Sequence, residues 1–222
     1  MEQHYKTVMR ALESHRHIGN PLVVFRDVIH AMALWIAICT DPLNLEEREK
    51  QLEIVMKRYG DGELHKLMAI FKNMFNDYKD NFGDHLGKIY MQLVPKSANT
   101  QGQVFTPYHV AKLMCELAFD KDEFGKKIIK INDPCCGAGV FSIAYCDLLN
   151  DHKINYLTQA IFYAEDIDQT CVEMCYLQLS FIGASAIIEH KNTLTQEKWN
   201  EYRTGGYILA HTNWIEHLGG SK

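Results

Sequence analysis

The feature that most constrains the fold of this chain is the glycine-containing segment Asp133-Pro134-Cys135-Cys136-Gly137-Ala138-Gly139. It follows the apolar run Ile128 to Ile131, which predicts a buried strand, and it precedes a helical pattern from Phe141 to Leu149. The glycines are therefore expected in a strand-to-helix turn of an α/β sheet. In such sheets, nucleotide-like ligands bind outside the carboxyl ends of the strands, against the N–H groups of a helix N-terminus.

The glycine turn lacks the residues that phosphate-binding loops require. A Walker A loop needs a Lys-Ser/Thr pair after its last glycine, where this chain has Val140 and Phe141. The dinucleotide fingerprint needs a third glycine, where Ser142 stands. The acid Asp133 would repel a pyrophosphate but could accept hydrogen bonds from a cationic or hydroxylated ligand. The turn thus favours S-adenosylmethionine over NAD or ATP, and an ordinary glycine turn is the alternative.

A second acidic segment follows the next apolar run. Residues Ile161 to Ala164 predict a second strand, and Glu165, Asp166 and Asp168 follow it. An acid at this place, some 20 or more residues after the glycine turn, is positioned to hold ribose hydroxyls. We assign that role to Asp166, with Ile167 covering the adenine face. A solvated acidic turn that caps a helix is the alternative.

These motifs together resemble a known family. The segments DPCCGAG at 133–139, AEDID at 164–168 and GQVFTP at 102–107 are similar to those of adenine-specific DNA methylases of the type I restriction-modification kind. The segment DHLGKIY at 84–90 resembles the stretch that ends the helical N-terminal region of that family. The resemblance covers residues from about 84 to 194, and short phage- or plasmid-type members look most similar. It implies a Rossmann-like class I methyltransferase fold.

The resemblance also implies a role for individual residues. Thr106 matches a donor to the carboxylate of the cofactor, and Asp166 matches the ribose-binding acid. Asn192 stands where the family usually has Asp and would contact the adenine amine through its carbonyl. For residues 103–107, an ordinary turn before a helix is the alternative. The full set of implied cofactor contacts is Phe105, Thr106, Pro107, Asp133, Pro134, Cys135, Gly137, Gly139, Asp166, Ile167 and Asn192.

One motif of the family is missing. Amino-methylating members carry an N/D-P-P-Y/F tetrapeptide after the fourth strand, where it accepts hydrogen bonds from the target amine and stacks on the extruded base. This sequence contains no Pro-Pro pair. Its predicted fourth strand, near Tyr207–His211, leads into His211-Thr212-Asn213-Trp214. We therefore name His211, Asn213 and Trp214 as the catalytic candidates, and the simple end of a strand is the favoured alternative.

Charge and cysteine content limit the class of protein further. The net charge is −5, with Lys and Arg scattered, whereas a stand-alone DNA-binding module usually shows a basic face. Any contact with DNA is therefore expected to be weak or to need a second subunit or another copy of the chain. The seven cysteines are an odd number, they show no metal spacing, and no signal peptide precedes them. We expect no metal site, no membrane span and a reducing cytoplasm.

The first part of the chain is helical in pattern. We predict helices over Tyr5–His15, 23–39, 44–59 and Glu63–Asp80, the third begun by a capping box of Asn44 and Glu47. The apolar 23–39 segment is taken as a core helix because it is too short to span a bilayer. We place a helical domain at 1–95 and a cofactor-binding α/β domain at 96–222, with a sheet of fewer strands than a full methyltransferase. Its predicted strands lie near Lys127–Asn132, Ala160–Glu165, Ala186–Glu189 and Tyr207–His211.

Three functions remain open at this point. The first is an adenine-specific DNA methyltransferase, or the part of one that binds the cofactor. The second is a protein that binds S-adenosylmethionine without catalysis, because the N/D-P-P-Y/F element is missing. The third is a methyltransferase for RNA or a small molecule, against which the GQVFTP and DHLGKIY segments argue.

Overall fold

The computed structural model describes residues 2–60, 62–76, 78, 81–94, 104–125 and 127–211. Its α-helices are α1 Glu2–Ser14, α2 Pro21–Thr40, α3 Leu45–Tyr59, α4 Glu63–Lys72, α5 His85–Leu93, α6 Tyr108–Ala118, α7 Val140–Asp151, α8 Tyr156–Gln159, α9 Gln169–Ile182 and α10 Gly205–His211. Its strands are β1 Ile129–Asp133, β2 Ala160–Asp166, β3 Ala186–Asn192 and β4 Glu197–Arg203.

The four strands form one sheet in the order β1-β2-β3-β4. The first three strands are parallel, with Ile129 opposite Ala160 and Phe162 opposite Ala186. Parallel neighbours need a crossover, which α7 and α8 supply between β1 and β2 and α9 supplies between β2 and β3. The predicted α/β, Rossmann-like arrangement is therefore confirmed. Because the strands are parallel, β1, β2 and β3 end at the same edge of the sheet.

The predicted strand at Tyr207–His211 is wrong, because these residues belong to α10. Thr204 begins that helix, since its hydroxyl accepts from the N–H of Tyr207 at 3.2 Å and its carbonyl from Ile208. The fourth strand is instead β4, which runs antiparallel to β3. It was missed because it has no apolar run. An antiparallel edge strand needs only one buried face, which here includes Tyr202, while Lys198 pairs with Glu189 on the other face.

The helical part is built around α2. Asn20 caps its start by accepting from the N–H of Val23 at 3.0 Å. With 20 residues it is longer than predicted, and by length and composition alone it is the one helix among the described residues that could cross a membrane. Half of its most apolar window is nevertheless buried inside the fold, and a core helix passes the same test. Val24, Phe25, Val28 and Ile29 lie in the core with no exposed surface.

Two helix predictions need correction. Asn44 precedes α3 but has a left-handed φ of 56° and makes no capping hydrogen bond through its side chain, so the predicted capping box is wrong. The predicted helix Glu63–Asp80 ends at Lys72 and continues as a 3₁₀ turn over Asn73–Phe75. Residues 77, 79 and 80 lie outside the described residues.

Helix α9 joins the helical part to the sheet. It packs on β2 and β3 on one side and on α2 on the other. Phe75 stacks on Phe181 with ring centroids 4.2 Å apart, and one hydrophobic cluster extends from Val8 to Tyr202. The division of the chain at residues 95 and 96 stays a prediction.

Candidate cofactor-binding site

A cavity of about 390 Å³ opens at the carboxyl ends of β1, β2 and β3. The structure brings predicted contacts from four separate segments to its walls: Phe105, Pro134, Cys135, Gly137, Asp166, Ile167 and Asn192. Three of the segments converge because β1, β2 and β3 are parallel and each delivers its end to the same edge, whereas Phe105 comes from the loop before α6.

The glycine turn forms one wall of this cavity. Gly137 and Gly139 have positive φ values of 54° and 90°, which side chains rarely tolerate. A Cβ at Gly139 would also lie 2.8 Å from the Cys175 sulfur on α9. The turn is closed by a 2.8 Å hydrogen bond from the Gly139 N–H to the Cys136 carbonyl, and it is tied to β2 by a 2.9 Å bond from the Cys136 N–H to the Glu165 carbonyl.

Asp166 braces the turn as well as facing the cavity. Its Oδ2 accepts from the Gly137 N–H at 2.9 Å, and its Oδ1 accepts from the Asp168 N–H at 2.9 Å. Burial raises the pKa of Asp166, while these backbone hydrogen bonds oppose the rise by stabilising the charged form. The carboxylate is thus held in one orientation beside the cavity, where a ligand hydroxyl could donate to it.

Asp133 is placed beside this cavity rather than in its wall. It lines a neighbouring cavity of about 270 Å³ with Phe141 and Tyr145. Its Oδ1 accepts from the Cys135 N–H at 3.4 Å, whereas its buried Oδ2 has no hydrogen-bond partner among the described residues. Burial raises the pKa of Asp133, and the nearby charge of Asp166 raises it further. An unsatisfied buried carboxylate oxygen is costly, so this atom fits a donor from a ligand.

Phe105 separates the main cavity from a second one of about 300 Å³. The other two predicted loop residues, Thr106 and Pro107, line that second cavity together with Asp84 and Lys88. The Phe105 ring stacks on Tyr90 of α5 with centroids 5.8 Å apart. The predicted loop therefore contributes to two adjoining cavities.

The hairpin of β3 and β4 supplies a wall that the sequence analysis missed. The Thr193 hydroxyl lies 2.8 Å from both the Pro134 carbonyl and Glu165 Oε2, which fastens the hairpin tip to the glycine turn. Leu194 and Ile167 line the same cavity with exposed fractions of 95% and 62%. The sequence signal for Thr193 and Leu194 was the stretch Asn192-Thr193-Leu194-Thr195, which resembles short members of the family. The other unpredicted wall residues are Val104 and Lys191.

The side-chain oxygen of Asn192, which was predicted to contact adenine, instead accepts hydrogen bonds within the hairpin turn. Its Oδ1 accepts from the N–H groups of Leu194 and Thr195 at 3.0 and 3.2 Å. The side chain still lines the cavity, and its contact with an adenine amine stays a prediction.

The structure does not bring His211 to the cavity. The Thr204 N–H that precedes α10 donates to the carbonyl of Ala186, the first residue of β3. Helix α10 therefore begins at the amino end of β3, roughly 20 Å along the strand from the carboxyl end that carries the cavity. This placement argues against a catalytic role for His211, whose pKa is lowered by burial. Asn213 and Trp214 lie outside the described residues.

The chain belongs to the N-6 DNA methylase family, whose model matches residues 77–219, more than half of the chain. It is also similar to two solved structures. One is a proposed class I S-adenosylmethionine-dependent methyltransferase from Listeria monocytogenes, with 14% identity over 77% of this chain and 54% of that one and a TM-score of 0.37. The other is a type I restriction-modification methyltransferase subunit from Streptococcus thermophilus, with 16% identity over 90% and 60% and a TM-score of 0.42. The chain thus spans little more than half of their lengths, and the assignment rests on the family match.

Membership of this family implies S-adenosylmethionine as the cofactor, and the residues present fit it. At the main cavity, Asp166 suits ribose hydroxyls and Ile167 offers an apolar surface to a base. In the neighbouring cavity, the unsatisfied Asp133 oxygen suits an ammonium or hydroxyl donor. The carboxylate of Asp133, at the start of the glycine turn, disfavours a phosphate group at that place. Within the parts of the chain that the structure describes, no group of three or more His, Cys, Asp or Glu side chains could hold a metal ion.

Proposed function

We propose that this chain is the cofactor-binding part of an S-adenosylmethionine-dependent DNA methyltransferase that acts on the amine of adenine. The main support is the convergence of the glycine turn and Asp166 on one cavity at the carboxyl edge of the sheet. Membership of the N-6 DNA methylase family supports DNA as the substrate and the adenine amine as the target. A role in restriction and modification, in the cytoplasm, is part of the same proposal.

The reaction requires a methyl group to be displaced from a sulfonium, and S-adenosylmethionine supplies that group when it is bound. The contribution of the chain is to hold the cofactor in one orientation, since a displacement depends chiefly on alignment and on acceptors for the amine protons. Asp166 would orient the ribose, and Asp133 would accept from the methionine end. Thr106, on the far side of Phe105, would donate to the carboxylate.

Methyl transfer to adenine also requires acceptors for the protons of the target amine. His211, the one catalytic candidate that the structure describes, does not reach the cavity, since it lies at the other end of β3. This observation favours the second candidate function, a protein that binds the cofactor without catalysis on its own. We therefore propose that methyl transfer by this chain alone is very slow or absent.

Two features support a further protein in the active assembly, either another subunit or a second copy of the chain. The outer edge of β1 has no partner strand within the described residues, so its N–H and C=O groups are free to pair with another strand. Beside it, α6 exposes an apolar stripe of Val110, Leu113, Met114 and Leu117, from 37% to 80% exposed. Helix residues three and four apart share one face, so this stripe is continuous. The negative net charge likewise agrees with weak binding of DNA by the chain alone.

Calorimetry with S-adenosylmethionine, followed by incubation with tritiated cofactor and unmethylated duplex DNA, tests both candidate functions. We expect saturable binding and little incorporation of label. An absence of binding at millimolar cofactor would refute the cofactor assignment. Robust labelling of adenine by the chain alone would refute the proposal that a further protein is needed.

The α6 stripe is tested by Leu117→Lys, which places a charge at its most exposed position. If the stripe is an interface, this variant should weaken self-association or capture of a partner subunit, as measured by light scattering and pull-down. Leu209→Lys on α10, where the leucine is 63% exposed, is the matched control. Equal behaviour of the two variants would count against the interface.

A further inference from the structure

Gln178 lies in the interior of the fold and belongs to no motif of the sequence. It is on α9, and its side chain has no exposed surface. Burying a primary amide in an apolar core is unfavourable unless its oxygen and nitrogen are both hydrogen-bonded. Here both are, and their partners come from three different segments of the chain.

The amide oxygen of Gln178 collects three donors. Oε1 accepts from the backbone N–H groups of His85 and Leu86 at 2.8 and 3.2 Å, and at 2.9 Å it shares the proton of the Tyr78 hydroxyl with the Gly83 carbonyl. Those two N–H groups are at the first turn of α5, where no intrahelical acceptor exists for them. The oxygen therefore fixes the start of α5 relative to α9.

The amide nitrogen connects the same helix to the glycine turn. Nε2 donates to Asp84 Oδ1 at 3.0 Å and to the carbonyl of Ala138 at 2.7 Å. Asp84 is the N-cap of α5, with Oδ1 also accepting from the Gly87 N–H at 2.8 Å. Donors surround the oxygen and acceptors surround the nitrogen, so only one orientation of the amide satisfies all five bonds.

The two elements that Gln178 connects line the two adjoining cavities, the glycine turn through Gly137 in the main cavity and α5 through Gly87 and Lys88 in the second. Ala138 is the residue between the two glycines of the turn. Helix α5 carries Tyr90, on which the Phe105 ring stacks at 5.8 Å, and Phe105 separates the two cavities. The buried amide thus links the turn to the helix on which Phe105 stacks.

We propose that Gln178 is a positioning residue for cofactor binding, which holds the glycine turn at a fixed distance from α5 and thereby from Phe105. The inference rests on the proposed function for its ligand, but the coupling itself is a property of the unliganded chain. It also couples the helical region to the binding site, because this amide ties the start of α5 to the turn that lines the main cavity.

A second buried network provides the comparison. Glu173, which is also buried and lies nearer the start of α9, accepts from Tyr202 at 3.2 Å and pairs with His30 of α2 at 2.5 Å. It joins the helical part to α9 as Gln178 does, but none of its members touches the glycine turn or lines either cavity. Loss of either network should lower stability, whereas only loss of Gln178 should change the turn.

The test compares Gln178→Met, similar in size but unable to form the five bonds, with Tyr202→Phe. Hydrogen exchange of the peptide containing residues 133–140 is measured without cofactor, and affinity for S-adenosylmethionine is measured by calorimetry, both well below the unfolding temperature. In Gln178→Met we expect faster exchange of the turn amides. We also expect the affinity for S-adenosylmethionine to fall by about tenfold, which is equivalent to the loss of one hydrogen bond between the turn and the cofactor. Tyr202→Phe should show neither change.

A milder variant keeps the test decisive if Gln178→Met does not fold. Asp84→Ser retains a capping oxygen for α5 but removes one acceptor of the Gln178 nitrogen, so a smaller change in the same peptide is expected. Wild-type exchange rates of the turn in the folded variants would overturn the proposal. If the wild-type chain binds no cofactor, the proposed function fails, while the exchange comparison still decides whether Gln178 positions the turn.

Discussion

Replacement of Asp166 by Asn tests the central residue of the site. In the wild-type protein, one carboxylate oxygen of Asp166 accepts from the Gly137 N–H and the other from the Asp168 N–H. The substitution removes the charge and leaves only one oxygen. A charge-assisted hydrogen bond to a ribose hydroxyl contributes about 1.5–3 kcal/mol. Affinity for S-adenosylmethionine should therefore fall roughly 10- to 100-fold, as measured by calorimetry.

The same substitution has opposing effects on stability without cofactor. One buried N–H loses its acceptor, which costs about 1–3 kcal/mol. This loss is partly offset, because burial raises the pKa of Asp166 and its charge is therefore unfavourable in the unliganded fold. Asp168→Asn is the matched control, since it removes a carboxylate two residues away at the cap of α9, where Asn caps equally well. Unchanged cofactor affinity in Asp166→Asn, or an equal loss in both variants, would refute the role given to Asp166.

Three further predictions follow from the ionisable groups. Because burial raises the pKa of Asp133 and of Asp166, their charges should be lost at a higher pH than in exposed aspartates, and calorimetry across pH should show cofactor affinity falling as the solution is made acidic. Burial lowers the pKa of His85 from 6.5 to about 4. The stability that the neutral His85 side chain contributes is therefore fully present above pH 6.5 and is lost as the pH falls through about 4. Acid unfolding should therefore be less steep in His85→Asn, with a difference on the order of 3 kcal/mol across that range. His211→Ala should leave cofactor affinity unchanged, because α10 lies at the amino end of β3, and a tenfold loss by calorimetry would contradict this placement.

The parts of the fold that the sequence predicted correctly are those with short-range signals. Apolar runs located β1, β2 and β3, and the helical periodicity located α2 and α7. The glycine turn and the acid after β2 were recognisable because backbone conformation and strand order restrict which residues can stand there. Since parallel strands end at one edge, these separate signals also predicted that Gly137 and Asp166 would meet.

The features that failed depend on contacts between distant parts of the chain. β4 is a strand because β3 offers it an edge and because Tyr202 is buried beneath it, neither of which its charged sequence reveals. The apolar pattern of Tyr207–His211 is compatible with a strand or a helix. The hydroxyl of Thr204 stabilises the helix by capping its start.

The sequence by itself therefore determined the chemistry at the site, and the tertiary structure decided how that chemistry is held in place. An acid after a strand predicts a ligand contact, but only the folded chain shows Asp166 bracing Gly137 as well. Gln178 has no sequence signal because its five partners lie 40 to 100 residues away along the chain. A buried amide becomes informative only when the donors and acceptors around it are known, since its burial is tolerated only through them.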